Sequence, residues 1–382
     1  MPEIMVSAGE VSGDRYAALL AGRLREVNSG IKIWGIGGAE LSKAGAEIVC
    51  DTVEKSVMGF TEPLKRIWFY ISLLKAVKKK IKVRKPDLLL LVDFTAFNMK
   101  LAKYGYEEGI PVVSFFSPSV WSWGAWRAGQ MARWKVKIAA VLPMEYDAYK
   151  QAGADVCFVG HPLPDLIKNR DKRLDLREHM KNGRYSRIIG ILPGSREMEV
   201  RNLLAEFLKA AEVIFTKHSD CLFVLPVAAP HLKGLVEDIA AQARTQIPLL
   251  VVDGMACDVI ESSDFVITAS GTATLEAACL GTPLLAAYKV SPVTGFLARL
   301  LSRVKYFALP NLILGEQAVP EFFQKRAKGK WIGETALKLM EDSAYMEKMK
   351  YSLAGAAQML GDGKAVDRTA GLILDVLADR SA

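Results

Sequence analysis

Two short segments in the second half of the chain have the composition of anion-binding turns. In the first, the apolar run RIIGIL leads into PGSREMEVRNLL, so Ser195 and Arg196 stand where a strand gives way to a helix. A helix start presents backbone N–H groups to an anion, and the Arg196 guanidinium adds a charge-assisted contact suited to phosphate. A surface turn with an exposed arginine is the plainer reading of the same residues. In the second segment FVITA is followed by SGTATLEAACLGTP, which crowds Ser270, Gly271, Thr272 and Thr274 at another helix start. Gly271 lets the backbone approach a ligand closely. The hydroxyls and N–H groups suit a diphosphate, and Glu276, one turn into the helix, can accept hydrogen bonds from a ribose diol. A simple capping box, with Ser270 or Thr272 at the cap and Glu276 solvated, competes with this reading. Two such turns in one domain favour a ligand.

The first half offers a carboxylate. LLLLVDFTAFNMKLA places Asp93 at the carboxyl end of an apolar strand, with Asn98 opening the next helix. A carboxylate at that edge, facing a cleft between domains, can serve as general base toward a sugar hydroxyl, and a capping Asp is the alternative. Upstream, AGEVSGD at residues 8 to 14 forms a small, polar strand-to-helix turn in which Glu10, Ser12 and Asp14 are acceptors. The GIGG at 35 to 38 is a weak fragment of a dinucleotide fingerprint; it follows the second strand and lacks the acidic partner, which argues against an oxidoreductase. SFFSPSVWSWGAWR carries Trp121, Trp123 and Trp126 beside Arg127, aromatics that either pack a core edge or line a groove for a sugar or acyl chain. His161, in VGHPLPD, falls at the hinge, and only that position lifts it above a structural histidine.

Residues 62 to 85, EPLKRIWFYISLLKAVKKKIKVRK, mix nine Lys and Arg with Ile, Leu and aromatic residues. A basic amphipathic helix with interfacial aromatics lies in the headgroup plane of an anionic bilayer. An ordinary helix with one buried and one solvated face is the alternative. Trp68, Phe69 and Tyr70 are consecutive and point around the helix, so membrane contact through them and through Lys65 and Arg66 is the expectation. His and Cys are isolated and no paired acidic motif precedes a site, so no metal site and no cofactor are expected.

These residues need a scaffold. Short Val/Ile/Leu runs at Ile4, Ile31, Leu88, Val112, Ile138, Ile188, Leu222, Leu249, Phe265 and Leu284 alternate with helical patterns, which predicts parallel α/β sheets covered on both faces. A charged, Pro- and Gly-bearing stretch between 162 and 186 is the hinge. The pattern predicts two Rossmann-like domains, residues 1–165 and 166–345, followed by helices at 346–382 that return to the first domain. From residue 321 onward only helices are expected. A chain of 382 residues exceeds the roughly 250–300 residues at which single cores stop growing.

Composition narrows the setting. The net charge of +8 and pI near 9.1 call for an acidic partner. The basic residues cluster on one helix without a nucleic-acid module, so nucleic acid is a poor candidate. Five scattered cysteines read as free thiols in a reducing, cytoplasmic compartment. The start MPEIMVSAGE has no signal-peptide pattern, and no run of about 18 apolar residues occurs, so membrane contact is expected to be peripheral.

The ordered blocks AGEVSGD, SVMGFTEPL, DFTAFN, SPSVWSW, VGHPLPD, LPGSREMEV, SGTATLEA and LPNLILGEQAVPEFFQ resemble the lipid-A-disaccharide synthase family, glycosyltransferase family 19. The resemblance implies a glycosyltransferase B fold with the two domains facing a cleft. It implies an inverting transfer from UDP-2,3-diacylglucosamine to 2,3-diacylglucosamine 1-phosphate at the cytoplasmic face of the inner membrane. The products are a β-1,6-linked disaccharide phosphate and UDP. It also implies that Asp93 is the base and that Arg196, Ser270, Thr272, Thr274, Glu276, Asn311 and Glu321 belong to UDP-binding blocks. Members often read DxPDFN where this chain has Thr95 and Ala96, leaving Asp93 the only carboxylate of that block. A UDP-sugar 2-epimerase or another UDP-sugar transferase of the same fold is the rival reading, and a sugar-binding protein without chemistry is the second. Oligomeric state, a homodimer included, is left open.

Overall fold

The computed structural model describes residues 1–52, 63–122, 124–180, 183–290 and 305–381. The chain forms two compact units, one of Met1–Pro162 with Leu360–Ala382 and one of Leu163–Met359. The first unit holds a seven-stranded sheet in the order β3-β2-β1-β4-β5-β6-β7. Its strands are β1 Glu3–Ala8, β2 Lys32–Gly37, β3 Glu47–Asp51, β4 Leu88–Val92, β5 Val112–Phe115, β6 Lys137–Ala140 and β7 Asp155–Phe158. All of its pairings are parallel. The second sheet runs β10-β9-β8-β11-β12-β13, built from β8 Arg187–Leu192, β9 Cys221–Val227, β10 Leu249–Asp253, β11 Phe265–Ala269, β12 Leu284–Tyr288 and β13 Glu321–Phe323. It too is parallel throughout.

Strand β4, LLLLV, is buried at every position, as a strand covered by helices on both faces must be. Parallel strands require crossover connections, and the amphipathic helices supply them. The Val11–Val27 helix buries Tyr16, Ala17, Leu20 and Leu24; the Glu197–Lys217 helix buries Val200, Leu203, Leu204, Phe207 and Ile214. Both follow the three-and-four spacing of one helical face. The order of strands reverses between β1 and β4 in the first sheet and between β8 and β11 in the second. Such switch points open a crevice at the carboxyl ends of the strands, which is where the candidate residues sit.

Three strands depart from the expectation. β3 and β7 lie at the two edges of the first sheet and β13 at an edge of the second; each is only partly buried. β13 also corrects the expectation of helices alone after residue 320. The return to the first unit comes at Leu360 rather than near 346. The Ser343–Gln358 helix stays with the second unit because Met349 and Leu353 sit in that unit's core. The last helix, Ala365–Ser381, completes the first unit. It buries Ala370, Ile373 and Leu377, pairs Asp367 with Arg23 at 2.6 Å and donates from Arg380 Nη1 to the Asp87 carbonyl at 2.7 Å.

The basic helix spans Pro63–Arg84. Leu73, Val77 and Ile81 form its buried face, while Ile67, Trp68 and Ile71 are exposed at 53%, 67% and 40%. Phe69 and Tyr70 do not face solvent as predicted. Both pack on the first unit's core, with the Tyr70 ring edge-on to Phe94 at 5.4 Å. Consecutive residues on a helix are about 100° apart, so one exposed face leaves room for Trp68 but not for all three. The side chains of Lys65 and Arg66, the SVMGFTE segment and Trp123 lie outside the described residues. Among the described residues no helix is long and apolar enough to cross a membrane.

Candidate active site

In the second unit the turns after β8 and β11 line one cleft of about 290 Å³. Ser195, Arg196, Ser270, Gly271, Thr272 and Glu276 all face it, so the structure brings together the two segments read as anion loops. Their chemistry differs. After β8 the Ser195 and Arg196 N–H groups donate to Glu199 Oε2 at 3.0 and 3.3 Å. That backbone is therefore not available to an anion as predicted. What the turn offers instead is the Arg196 side chain, 71% exposed and 3.7 Å from Glu199 Oε1. Gly194 makes the arrangement feasible: its φ is +117°, and a side chain there would overlap Glu199. Glu199 stands at the third helical position, the spacing of a capping box, and that was the sequence signal for it.

After β11 the helix Thr272–Leu280 begins directly. Its first N–H groups have no intrahelical acceptor, Gly271 and Thr272 are exposed, and a Cβ on Gly271 would meet nothing within 4 Å. A phosphate oxygen therefore has open space and donors at this turn. Ser270 Oγ donates to the Phe307 carbonyl at 2.7 Å, and the fully buried Thr274 donates to the Gly271 carbonyl at 2.7 Å. These two hydroxyls shape the turn; Thr274 does not reach the cleft. Glu276 lines the cleft, half-buried.

Glu321 and Asn311 form the bracket behind Ser270. Glu321 Oε1 accepts from the Phe307 and Ala308 N–H groups at 3.0 and 2.7 Å and from Asn311 Nδ2 at 2.8 Å. Asn311 is fully buried, and its amide is committed to Val319, Ala318 and Glu321. Neither residue is among those that line the cleft; they fix the Phe307 backbone whose carbonyl holds Ser270.

In the first unit the switch point brings Ser12 and Asp93 together. Ser12 Oγ donates to Asp93 Oδ2 at 3.1 Å, and the Phe94 N–H donates to Asp93 Oδ1 at 2.8 Å. Asp93 and Phe94 both adopt left-handed backbone, at φ +47° and +75°. For a phenylalanine that conformation is costly, and strain of this kind concentrates where function demands it. The Phe94 ring fills the crevice above Gly9, where any side chain would overlap it. Asn98, 6% exposed, accepts from Ser7 Oγ at 2.6 Å and donates to the Asp93 carbonyl. It therefore holds the turn rather than facing a ligand. Asp14 is spent likewise, accepting from the Gly38 and Glu40 N–H groups at 2.6 and 3.0 Å.

Glu10 occupies the cap of the Val11–Val27 helix, half-buried, and Trp121 is half-buried in the turn after β5. His161 is 4% exposed, edge-on to Phe116 and Tyr16 at 5.2 and 6.0 Å. Burial pushes its pKa down to about 3, so the ring is neutral at ordinary pH. Among the described residues no cluster of His, Cys, Asp or Glu could hold a metal ion, and all five cysteines are free.

A profile of the lipid-A-disaccharide synthetase family matches residues 4–365. The chain belongs to that family. A lipid-A-disaccharide synthase of Persephonella marina is 35% identical over 385 residues, covering 98% of this chain and 99% of the relative. Among solved structures, a UDP-GlcNAc 2-epimerase from Neisseria meningitidis bound to UDP-GlcNAc superposes with a TM-score of 0.68 at 15% identity, covering 98% and 100% of the two chains. The calicheamicin glycosyltransferase CalG4 does so at 0.55 and 14%, covering 99% and 98%. At such identities the likeness is one of fold, the two-domain glycosyltransferase B architecture. Within this synthetase-family chain, sequence reasoning missed Leu192, Glu199, Pro226, Ala228, Ala256, Thr268, Ala269 and Ala273, which complete the cleft wall with Gly194. Apart from Glu199 they are small or apolar and carry no chemical signal of their own.

Proposed function

We propose that the protein condenses UDP-2,3-diacylglucosamine with 2,3-diacylglucosamine 1-phosphate, giving the β-1,6-linked disaccharide 1-phosphate and UDP. The observation that carries the reading is the open cleft at the β8/β11 switch point in a chain that matches the synthetase family over residues 4–365. The Arg196 guanidinium and the first-turn N–H groups of the Thr272–Leu280 helix neutralise the diphosphate, and Glu276 accepts from the ribose hydroxyls. Asp93 takes the proton of the acceptor's 6-hydroxyl. The oxygen attacks the anomeric carbon as the bond to UDP breaks, and the electron pair leaves on the diphosphate. Attack opposite the leaving group inverts the anomeric centre. Diphosphate stabilisation by fixed donors and one cation is a sufficient electrostatic device, so turnover is expected to persist in EDTA.

Both substrates carry acyl chains, which fits docking on the cytoplasmic face of the inner membrane. Ile67, Trp68 and Ile71, exposed on a basic helix, are the apolar contact, and the lysines that follow them attract anionic headgroups. The test is an assay in nonionic micelles with both substrates, following UDP and disaccharide. Disaccharide formed at the same rate as UDP supports the reading. Epimerised donor, or UDP released without disaccharide, overturns it.

A further inference from the structure

A second cavity, of about 520 Å³, lies wholly within the first unit, between the helix Thr95–Glu107 and the helix Trp126–Arg133. Lys100 and Lys103 on one side and Arg127 and Arg133 on the other line it, with Trp126 and Trp134. Among the described residues no acidic side chain contributes to the wall. Lys103 lies 3.5 Å from Glu107, which is outside the groove, and the Arg127 guanidinium lies 5.4 Å from the centre of the Trp126 ring. Trp126 is 62% exposed.

Four cationic side chains converge on one groove, which favours an anion there, and the two indoles give that anion an apolar neighbour. The groove is tied to the Asp93 turn by its own helix. Ala96, one residue into that helix, forms its near end, and Lys100 stands about 6 Å further along at 1.5 Å per residue. An anion in the groove would thus be carried by a molecule whose other end reaches the carboxylate.

The geometry points to this groove as the site for the phosphate of a phosphorylated, acylated sugar acceptor, with the cations on the phosphate and Trp126 and Trp134 on its apolar part. The inference rests on the proposed reaction for the identity of the acceptor but is tested without turnover. Tryptophan fluorescence is titrated in nonionic micelles with diacylglucosamine 1-phosphate and with the same lipid lacking the phosphate. The wild type is compared with the exposed-residue variant K100Q/K103Q/R133Q and, separately, with R127Q. Loss of charge-assisted contacts of this kind is worth about tenfold or more in affinity.

The expected result is wild-type binding that is at least about tenfold tighter for the phosphorylated lipid. Both variants lose that preference, with unchanged UDP affinity and unchanged melting temperature. A preference retained in both variants overturns the assignment. So does a retained preference accompanied by lost pelleting with phosphatidylethanolamine vesicles containing phosphatidylglycerol, because the groove would then face the bilayer surface. A wild type that shows the phosphate preference yet makes no disaccharide overturns the proposed reaction and leaves this groove standing.

Discussion

The two sheets place their functional turns at the same topological point and equip them oppositely. At the β1/β4 switch point the crevice is closed: Phe94 covers Gly9, Ser12 is bonded to Asp93, and the backbone of Asp93 and Phe94 is left-handed. At the β8/β11 switch point it is open, with empty space above Gly271 and an exposed Arg196. One turn holds a single carboxylate in strained backbone; the other presents the first-turn N–H groups of the Thr272–Leu280 helix beside open space. The contrast teaches that a shared topology settles where a crevice lies, while local side-chain packing settles whether it is closed or open.

The sharpest way to break this division is to remove the carboxylate. Asp93→Asn is expected to lower kcat by about 100- to 10,000-fold, the range of a lost general base, with UDP affinity by calorimetry unchanged. An equal fall in UDP affinity would show that the turns do not divide the work. On the binding side, Arg196→Gln is expected to weaken UDP about tenfold or more, the worth of a charge-assisted contact. Its melting temperature should not move, because the side chain is largely exposed.

The glycines sharpen the contrast further. Gly9→Ala must displace the Phe94 ring and should cost about 1–3 kcal/mol of stability, as overpacking does, read from denaturant midpoints. Gly271→Ala should leave the midpoint in place and reduce UDP affinity only, since its new methyl occupies ligand space. The smallest expected effect is a pH dependence confined to the first unit. Burial pushes the fully buried Glu145 up to about 7, above its usual carboxylate range near 4.5. Between those values the folded form keeps a proton that the unfolded form has lost, so stability falls as pH rises from 4.5 to 7 and is level above. His161, pushed down to about 3, acts in the opposite sense below its usual 6.5. Glu145→Gln removes the first effect alone. Its melting temperature relative to wild type should climb between pH 5 and 7, and a constant difference would refute the assignment.

Central strands were legible because LLLLV or FVITA can only be buried on both faces, and the common position of Arg196 and Glu276 at one cleft was legible because polar types followed those runs. Edge strands were not: β7 alternates exposed and half-buried residues, and half-covered strands lose the continuous apolar signature. Nor does sequence reveal which polar group finds a partner inside. Asn98 meets Ser7 across 91 residues and Asn311 meets Val319 and Glu321 through a turn of the chain. Both asparagines looked like ligand groups until those bonds were visible.

The second unit is an insertion: the chain leaves the first unit at Pro162 and re-enters it at Leu360. During synthesis the first unit therefore waits for Leu163–Met359 to emerge, roughly 10 to 40 s at about 5–20 residues per second. Throughout that interval the seat of the Ala365–Ser381 helix stands uncovered, including the apolar surface that Ile373 and Leu377 later bury. A first unit without that helix exposes apolar surface of the kind that makes folding intermediates aggregation-prone, while the inserted unit, continuous in sequence, has all of its own strands at hand before then.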